Sequence, residues 1–141
     1  MRVSLRCLVL TLLVLAPTAA AAGDDLTGRQ SLLCTAVQAT VCDDTATCVI
    51  ENPWDLNIPQ FLELDLNGKV VSTTKASGEN RSTPIRTLLR EEGLIVLQGV
   101  EGGRAFSFVI EEKSGLLSAA VAREGKTVSV FGACTPMPGT K

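Results

Sequence analysis

The sequence predicts a mostly β domain in which seven or eight antiparallel strands form a meander that closes into a small barrel or a strongly curled sheet, braced by disulfides. Three observations predict this class. From Phe61 onward, short segments alternate apolar and polar residues, turn residues separate these segments, and an even number of cysteines remains after a predicted export signal. A meander of this length has to close or curl in order to protect its edge strands.

The N-terminal residues have the pattern of a secretory signal peptide. Two arginines precede a short apolar stretch over residues 7–16, and small residues lead to a cleavage site before Gly23. The stretch is about half as long as the roughly 20 residues that a membrane helix needs. We therefore expect a signal peptide over residues 1–22, cleavage between Ala22 and Gly23, and a single β domain over residues 23–141 with no membrane span.

The charge of the predicted mature chain argues against two classes of partner. Removing residues 1–22 takes away two basic residues and no acidic one, so the formal net charge moves from −2 to −4. The remaining basic residues are scattered and form no long run. Nucleic acid and anionic lipid are therefore not expected as partners.

Four cysteines remain after the predicted cleavage, and an even number in a small exported protein indicates two disulfides. Three pairings are possible. We favour Cys42–Cys48, which closes a short polar loop, and Cys34–Cys134, which would tie the start of the domain to its last strand. Zinc is disfavoured because the chain has no histidine and no Cys-x-x-Cys pair. We expect no metal and no cofactor.

In the first third of the domain, residues 32–41 fit either a short helix or a strand, and their Val, Thr and Cys content favours a strand. Residues 49–59 contain two prolines, which predicts an extended connection.

The first predicted hairpin follows this connection. Residues 61–66 alternate strictly, with three leucines on one face. Asn67-Gly68 predicts a type I′ turn, because both residues tolerate a positive φ. Residues 69–74 form the returning strand, and this register places Leu64 opposite Val71. The polar segment over residues 75–82 is expected to be the most mobile loop.

The remaining strands are predicted over residues 84–90, 94–100, 104–112, 116–123 and 126–134. The run at residues 94–97 is continuously apolar, which indicates a strand that is covered on both faces or lies centrally in the sheet. Phe106, Phe108 and Ile110 share one face of their strand, which predicts that they point into the core.

The chain lacks most of the side chains that enzymes use as catalytic groups. Without histidine or tyrosine, the usual triads and a phenolic acid are not available, and the cysteines are expected to be oxidised. Glu63 and Asp65 lie on one strand face and could act as a carboxylate pair on a sugar, but a solvated polar face is the simpler interpretation. The pairs Glu91-Glu92 and Glu111-Glu112 flank turns, where carboxylates are usually solvated. We expect no catalytic residue.

Two residues are candidate binding positions. Trp54 is the only tryptophan and lies in the proline-flanked connection, where an exposed indole could anchor a partner. The interpretation that we favour is that Trp54 plugs one open end of the barrel. Arg104 opens the strand that carries Phe106 and Phe108 and could bind an anion or carboxylate, although an exposed or ion-paired arginine is the simpler interpretation.

A pattern of short motifs covers most of the predicted mature chain. Its parts are Leu97-Gln98-Gly99, Gly103-Arg104-Ala105-Phe106-Ser107, Ile110-Glu111-Glu112, Ser114-Gly115 and Phe131-Gly132-Ala133-Cys134-Thr135, together with Cys34, Cys42 and Cys48. This pattern resembles small exported β-domain proteins of proteobacteria that have no assigned activity. The layout is also distantly similar to the periplasmic C-type lysozyme inhibitors, which are small barrels with a cysteine near the C-terminus, but their serine-containing inhibitory loop is not recognisable here. The resemblance implies no chemistry.

Three functions are consistent with the sequence. We rank first a non-catalytic periplasmic or secreted module, an inhibitor or envelope accessory factor, that binds another envelope or extracellular protein through residues 75–82 and the Trp54 segment. The alternative is a small-ligand carrier that uses the barrel interior. Eight strands leave room for at most one small ligand, and inward side chains could fill that room; these are Leu62, Leu64, Phe106, Phe108 and Val130. A carboxylate-based hydrolase ranks third.

Overall fold

The computed structural model of the protein describes residues 25–137, which form one antiparallel sheet of ten strands and two short 3-10 helices. The predicted signal peptide over residues 1–22 and its cleavage site between Ala22 and Gly23 lie outside the described residues.

The strands are β1 (Ser31–Asp43), β2 (Cys48–Glu51), β3 (Phe61–Asp65), β4 (Val70–Thr73), β5 (Ser82–Pro84), β6 (Thr87–Glu91), β7 (Leu94–Glu101), β8 (Arg104–Glu111), β9 (Leu116–Arg123) and β10 (Lys126–Pro136). The 3-10 helices cover Pro53–Leu56 and Lys75–Ser77.

The sheet runs in the order β5-β4-β3-β1-β10-β9-β8-β7-β6, and β2 pairs with the far end of β1. The predicted all-β class and the strongly curled antiparallel sheet are confirmed. Because the first strand pairs with the last along almost its whole length, the meander closes through β1 and β10 and stays open between β5 and β6. The sheet is therefore a curled half-barrel.

The structure has more strands than the sequence predicted, ten in place of seven or eight. Residues 49–59 are not wholly an extended connection, because β2 and the first 3-10 helix lie there. The strand predicted over residues 84–90 is present as β6 over Thr87–Glu91, but it begins later than predicted, because Ile85 and Arg86 separate β5 from β6. The helix alternative for residues 32–41 is also excluded, since β1 covers them.

We name the open edge between β5 and β6 the seam. The chain crosses it at Ile85-Arg86, between the end of β5 and the start of β6. One backbone hydrogen bond lies on each side of this crossing: the Ile85 amide donates to the Lys69 carbonyl beside β4, and the Arg86 amide donates to the Gln98 carbonyl of β7, both at 2.8 Å.

The β3–β4 hairpin has the predicted register, with Leu64 opposite Val71, but the predicted type I′ turn is wrong. Positive φ occurs at Lys69 (54°) and not at Asn67 or Gly68. The cause is tertiary: the Leu66 side chain is buried and its amide donates to the Gln30 carbonyl at 2.8 Å. This bond extends the β1–β3 register by one residue pair, so the Leu66 amide faces β1 and not the returning strand β4.

The core lies on the concave face of the sheet. Its most completely buried side chains are Leu26, Leu32, Leu64, Ile95, Leu97 and Ile110. Strand β7 is not covered on both faces and is not central: it lies next to the edge strand β6, and its buried residues Ile95 and Leu97 alternate with half-buried ones. The continuous apolar run therefore predicted the wrong environment.

Both predicted disulfides are present, and each joins residues that lie directly opposite each other on paired strands. Cys34–Cys134 connects β1 to β10 inside the core. Cys42–Cys48 connects β1 to β2 and closes the short polar loop between them. The bridges therefore fix the two ends of the longest strand.

A β-bulge at Val37 bends β1 where it faces Gly132 of β10. The Thr35 carbonyl oxygen comes so close to Gly132 that a Cβ atom there would overlap it. Only glycine fits this position, and the bend it allows helps the sheet to curl.

Candidate functional site

Trp54 does not plug the half-barrel, so the interpretation favoured from the sequence is wrong. The indole is 52% exposed, whereas Pro53 is buried and Leu56 packs against the core. In a 3-10 helix residues three apart lie on the same side. Pro53 and Leu56 therefore both face inward, and Trp54 faces outward between them.

The Trp54 segment and the polar loop over residues 75–82 lie side by side and enclose a groove of about 470 Å³. The groove residues are Trp54, Asn57, Ile58, Pro59, Gln60, Phe61, Thr74, Ala76, Ser77 and Glu79, and we call this the Trp54 groove. Phe61 contributes a second aromatic side chain that is 44% exposed. Two of the three groups named from the sequence as partner contacts, Trp54 and the polar loop, are thus brought together.

Phe61 is not among the binding positions predicted from the sequence, although the alternation of its strand indicates that it is exposed. The alternation that places Leu62 and Leu64 in the core places Phe61 on the outer face, next to Glu63. A large aromatic residue on a polar strand face is a candidate contact for a partner.

The polar loop contains the second 3-10 helix, and Ser82 already belongs to β5. Its Arg81 amide donates to the Thr73 hydroxyl at 3.0 Å, and the Arg81 side chain reaches the opposite side of the seam.

A second cavity, of about 80 Å³, lies inside the half-barrel. Four of the side chains expected to fill the interior line this cavity without filling it: Leu62, Phe106, Phe108 and Val130. The fifth, Leu64, is buried in the core. The cavity shares Asn57, Ile58 and Pro59 with the Trp54 groove, so one short stretch of chain separates the two.

Three charged side chains lie at the mouth of this inner cavity: Arg81, Glu101 and Arg104. Arg81 donates to the Glu101 carboxylate from Nε at 3.1 Å and from Nη2 at 2.8 Å. These hydrogen bonds hold the pKa of Glu101 below its usual range and raise the pKa of Arg81. The pair is twenty residues apart in sequence, so no local pattern could predict it.

Arg104 is ion-paired with Glu101, as the simpler interpretation from the sequence predicted, although the ion pair is long. Its side chain is 19% exposed, and its Nη2 lies 3.7 Å from Glu101 Oε2. Within residues 25–137 its guanidinium makes no hydrogen bond. Arg104 therefore presents unused donors at the mouth of an apolar cavity.

The carboxylates considered for catalysis lie in ordinary structural surroundings. Asp65 accepts a hydrogen bond from the Gly68 amide at 2.8 Å and so stabilises the β3–β4 turn. Glu63 lies opposite Ser72 and Leu33 in the sheet. Neither residue faces the inner cavity or the Trp54 groove.

The expectation that Glu112 is solvated is wrong. Its side chain is buried and ion-paired with Arg90, whose Nη2 also donates to the Arg29 carbonyl at 2.8 Å. The neighbouring Glu111 accepts a hydrogen bond from the Ser114 amide at 2.7 Å, and hydrogen bonds from Ser114 lower its pKa. Glu112 also stabilises the segment that carries buried Leu26, because its carbonyl accepts a hydrogen bond from the Leu26 amide.

Within residues 25–137, no group of three or more His, Cys, Asp or Glu side chains is placed to hold a metal ion. In the same part of the chain, none of the helices has the length and hydrophobicity that a membrane crossing requires.

No protein-family model, curated protein or solved structure matches the chain. The fold and the geometry of the groove and the cavity are therefore the observations from which a function can be inferred.

Proposed function

We propose that this is a non-catalytic periplasmic or secreted protein that binds another envelope or extracellular protein at the Trp54 groove. One observation carries the proposal: two loops that are separate in sequence line one groove, and this groove exposes two aromatic side chains, Trp54 and Phe61. Two disulfides in so small a domain are typical of oxidising compartments and support the assignment to the periplasm or the medium.

The groove suits an extended segment of a partner protein that inserts an apolar side chain between the two aromatics. Tryptophan is the residue type most enriched among binding hot spots. Polar groups surround this apolar centre, and they belong to Asn57, Gln60 and Ser77. An apolar centre within a polar rim is the usual arrangement of a protein interface.

Site-directed photo-cross-linking in the native envelope tests the proposal. A photoreactive phenylalanine analogue replaces Phe61 in one variant and Leu89 in a second variant. Leu89 is a matched control, because it is 53% exposed and lies on the edge strand β6, outside the groove. We expect the Phe61 variant to give one adduct of defined mass, and excess wild-type protein to compete it away.

Two results would contradict the proposal. One is the absence of any competed adduct at Phe61. The other is an adduct of equal yield at Leu89, which would indicate non-specific contact. The identified partner should then bind the purified Trp54→Ala variant at least about tenfold more weakly than the wild type, as expected for a hot-spot residue.

A further inference from the structure

The inner cavity exists because several residues around it have small side chains. The Phe106 ring lies over Gly99, where a Cβ atom would overlap it, and its centroid is 5.3 Å from that of Phe108. Ala36 and Ala119 also line the cavity, and their short side chains leave the space open. At about 80 Å³ the cavity is smaller than the roughly 150 Å³ apolar cavity that accepts benzene. It therefore fits a short aliphatic chain better than a ring.

Two arginines and one glutamate line the mouth of the cavity, and Glu79 adds a second carboxylate 3.3 Å from Arg81 Nη1. Arg81 is fully occupied: besides its two bonds to Glu101, its Nη1 donates to the Asn57 carbonyl at 3.2 Å and to the Glu79 carboxylate at 3.3 Å. The charged contact of Arg104 is the ion pair in which its Nη2 atom lies 3.7 Å from Glu101 Oε2. The available cation at the mouth is therefore Arg104.

We infer that the half-barrel binds a small aliphatic monocarboxylate, with its chain in the inner cavity and its carboxylate on Arg104. Guanidinium and carboxylate form charge-assisted and often bidentate hydrogen bonds. A doubly charged head such as phosphate is disfavoured, because Glu101 already lies 3.7 Å from the same Nη2 atom. The inference concerns a different site from the Trp54 groove and does not depend on the proposed protein partner.

The probes are butanoate, butan-1-ol and butyl phosphate, each titrated into the oxidised protein with both disulfides intact. Chemical shifts of the methyl groups of Leu117, Ala119 and Val130, which line the cavity, report occupancy of the interior by NMR. We expect butanoate to bind most tightly and to shift all three residues. Shifts confined to surface residues, or tighter binding of butyl phosphate, would overturn the inference.

Two variants test the carboxylate and the aliphatic chain of the ligand separately. Arg104→Met should weaken butanoate binding about tenfold or more and leave butan-1-ol binding within about twofold, because only the carboxylate loses a charge-assisted hydrogen bond. Arg123→Met, at an exposed arginine outside the cavity, is the control and should change neither affinity. Ala119→Leu fills the space and should abolish binding of both probes. Unchanged butanoate affinity in Arg104→Met would overturn the inference even if Ala119→Leu failed to fold.

Discussion

The Arg81 guanidinium donates two hydrogen bonds to the Glu101 carboxylate, at 3.1 and 2.8 Å, across the seam of the half-barrel. Arg81 precedes β5 on one edge of the sheet, and Glu101 ends β7 near the other edge. This ion pair bridges the seam, which the chain itself crosses at Ile85-Arg86. It also forms part of the mouth of the inner cavity.

The first prediction concerns pH. Because Arg81 holds the pKa of Glu101 below its usual range, the unfolded chain binds more protons than the folded chain between the two pKa values. The contribution of the pair is complete above the unfolded pKa of about 4.3 and is lost as pH falls through the folded pKa. Urea midpoints between about pH 6 and pH 3 should fall less steeply in Glu101→Gln than in the wild type. Parallel curves would show that the pair does not contribute to folding.

Gly132→Ala should destabilise the fold by about 2 kcal/mol or more, because the new Cβ would overlap the Thr35 carbonyl on a paired backbone. Gly68→Ala is the matched control. There the nearest atoms belong to the Asp65 side chain, which can move aside, so the cost should be below about 1 kcal/mol. The free energies of unfolding come from urea titration, and equal costs in the two variants would refute the role given to the bulge.

The two disulfides should contribute unequally. Cys34–Cys134 closes a loop with a sequence separation of 100 residues, and Cys42–Cys48 one of 6. Loop-closure entropy gives about 4.7 kcal/mol for the first and about 2 kcal/mol for the second. The double-alanine variant of the first pair should therefore lose far more thermal stability, and it also leaves a gap in the core. A greater loss in the Cys42→Ala/Cys48→Ala variant would contradict this order.

Arg90→Met should cost about 3 kcal/mol, because it leaves the buried Glu112 carboxylate without its cation. Arg86→Met is the control, since that side chain is exposed. Adding Glu112→Leu to Arg90→Met should restore part of the loss, since replacing both charges removes the uncompensated one. Additive free energies of unfolding in the double variant would mean that the two residues act independently.

The fold class was predictable because it depends on local patterns. Alternation and turn residues marked β3 and β4, and the register that places Leu64 opposite Val71 followed from counting around the turn. The favoured pairing of Cys34 with Cys134 already indicated that the start of the domain lies beside its last strand, and β1 and β10 are paired in this way.

The predictions that are wrong concern features that depend on tertiary contacts. The Asn67-Gly68 dipeptide permits a type I′ turn, but the bond from the Leu66 amide to Gln30 overrides it. The predicted burial of Trp54 failed because a 3-10 helix turned Pro53 and Leu56 inward in its place. Likewise, the burial of Glu112 depends on Arg90, which lies on another strand.

The central claim is that a partner protein occupies the Trp54 groove, and fluorine NMR tests it most directly. Trp54 is the only tryptophan in the chain, so incorporation of 5-fluorotryptophan gives the protein a single reporter in the groove. Titration with the partner identified by cross-linking should shift and broaden this resonance to saturation at the stoichiometry of the complex. An unchanged resonance in a sample where the partner is bound would place the interface elsewhere and contradict the claim.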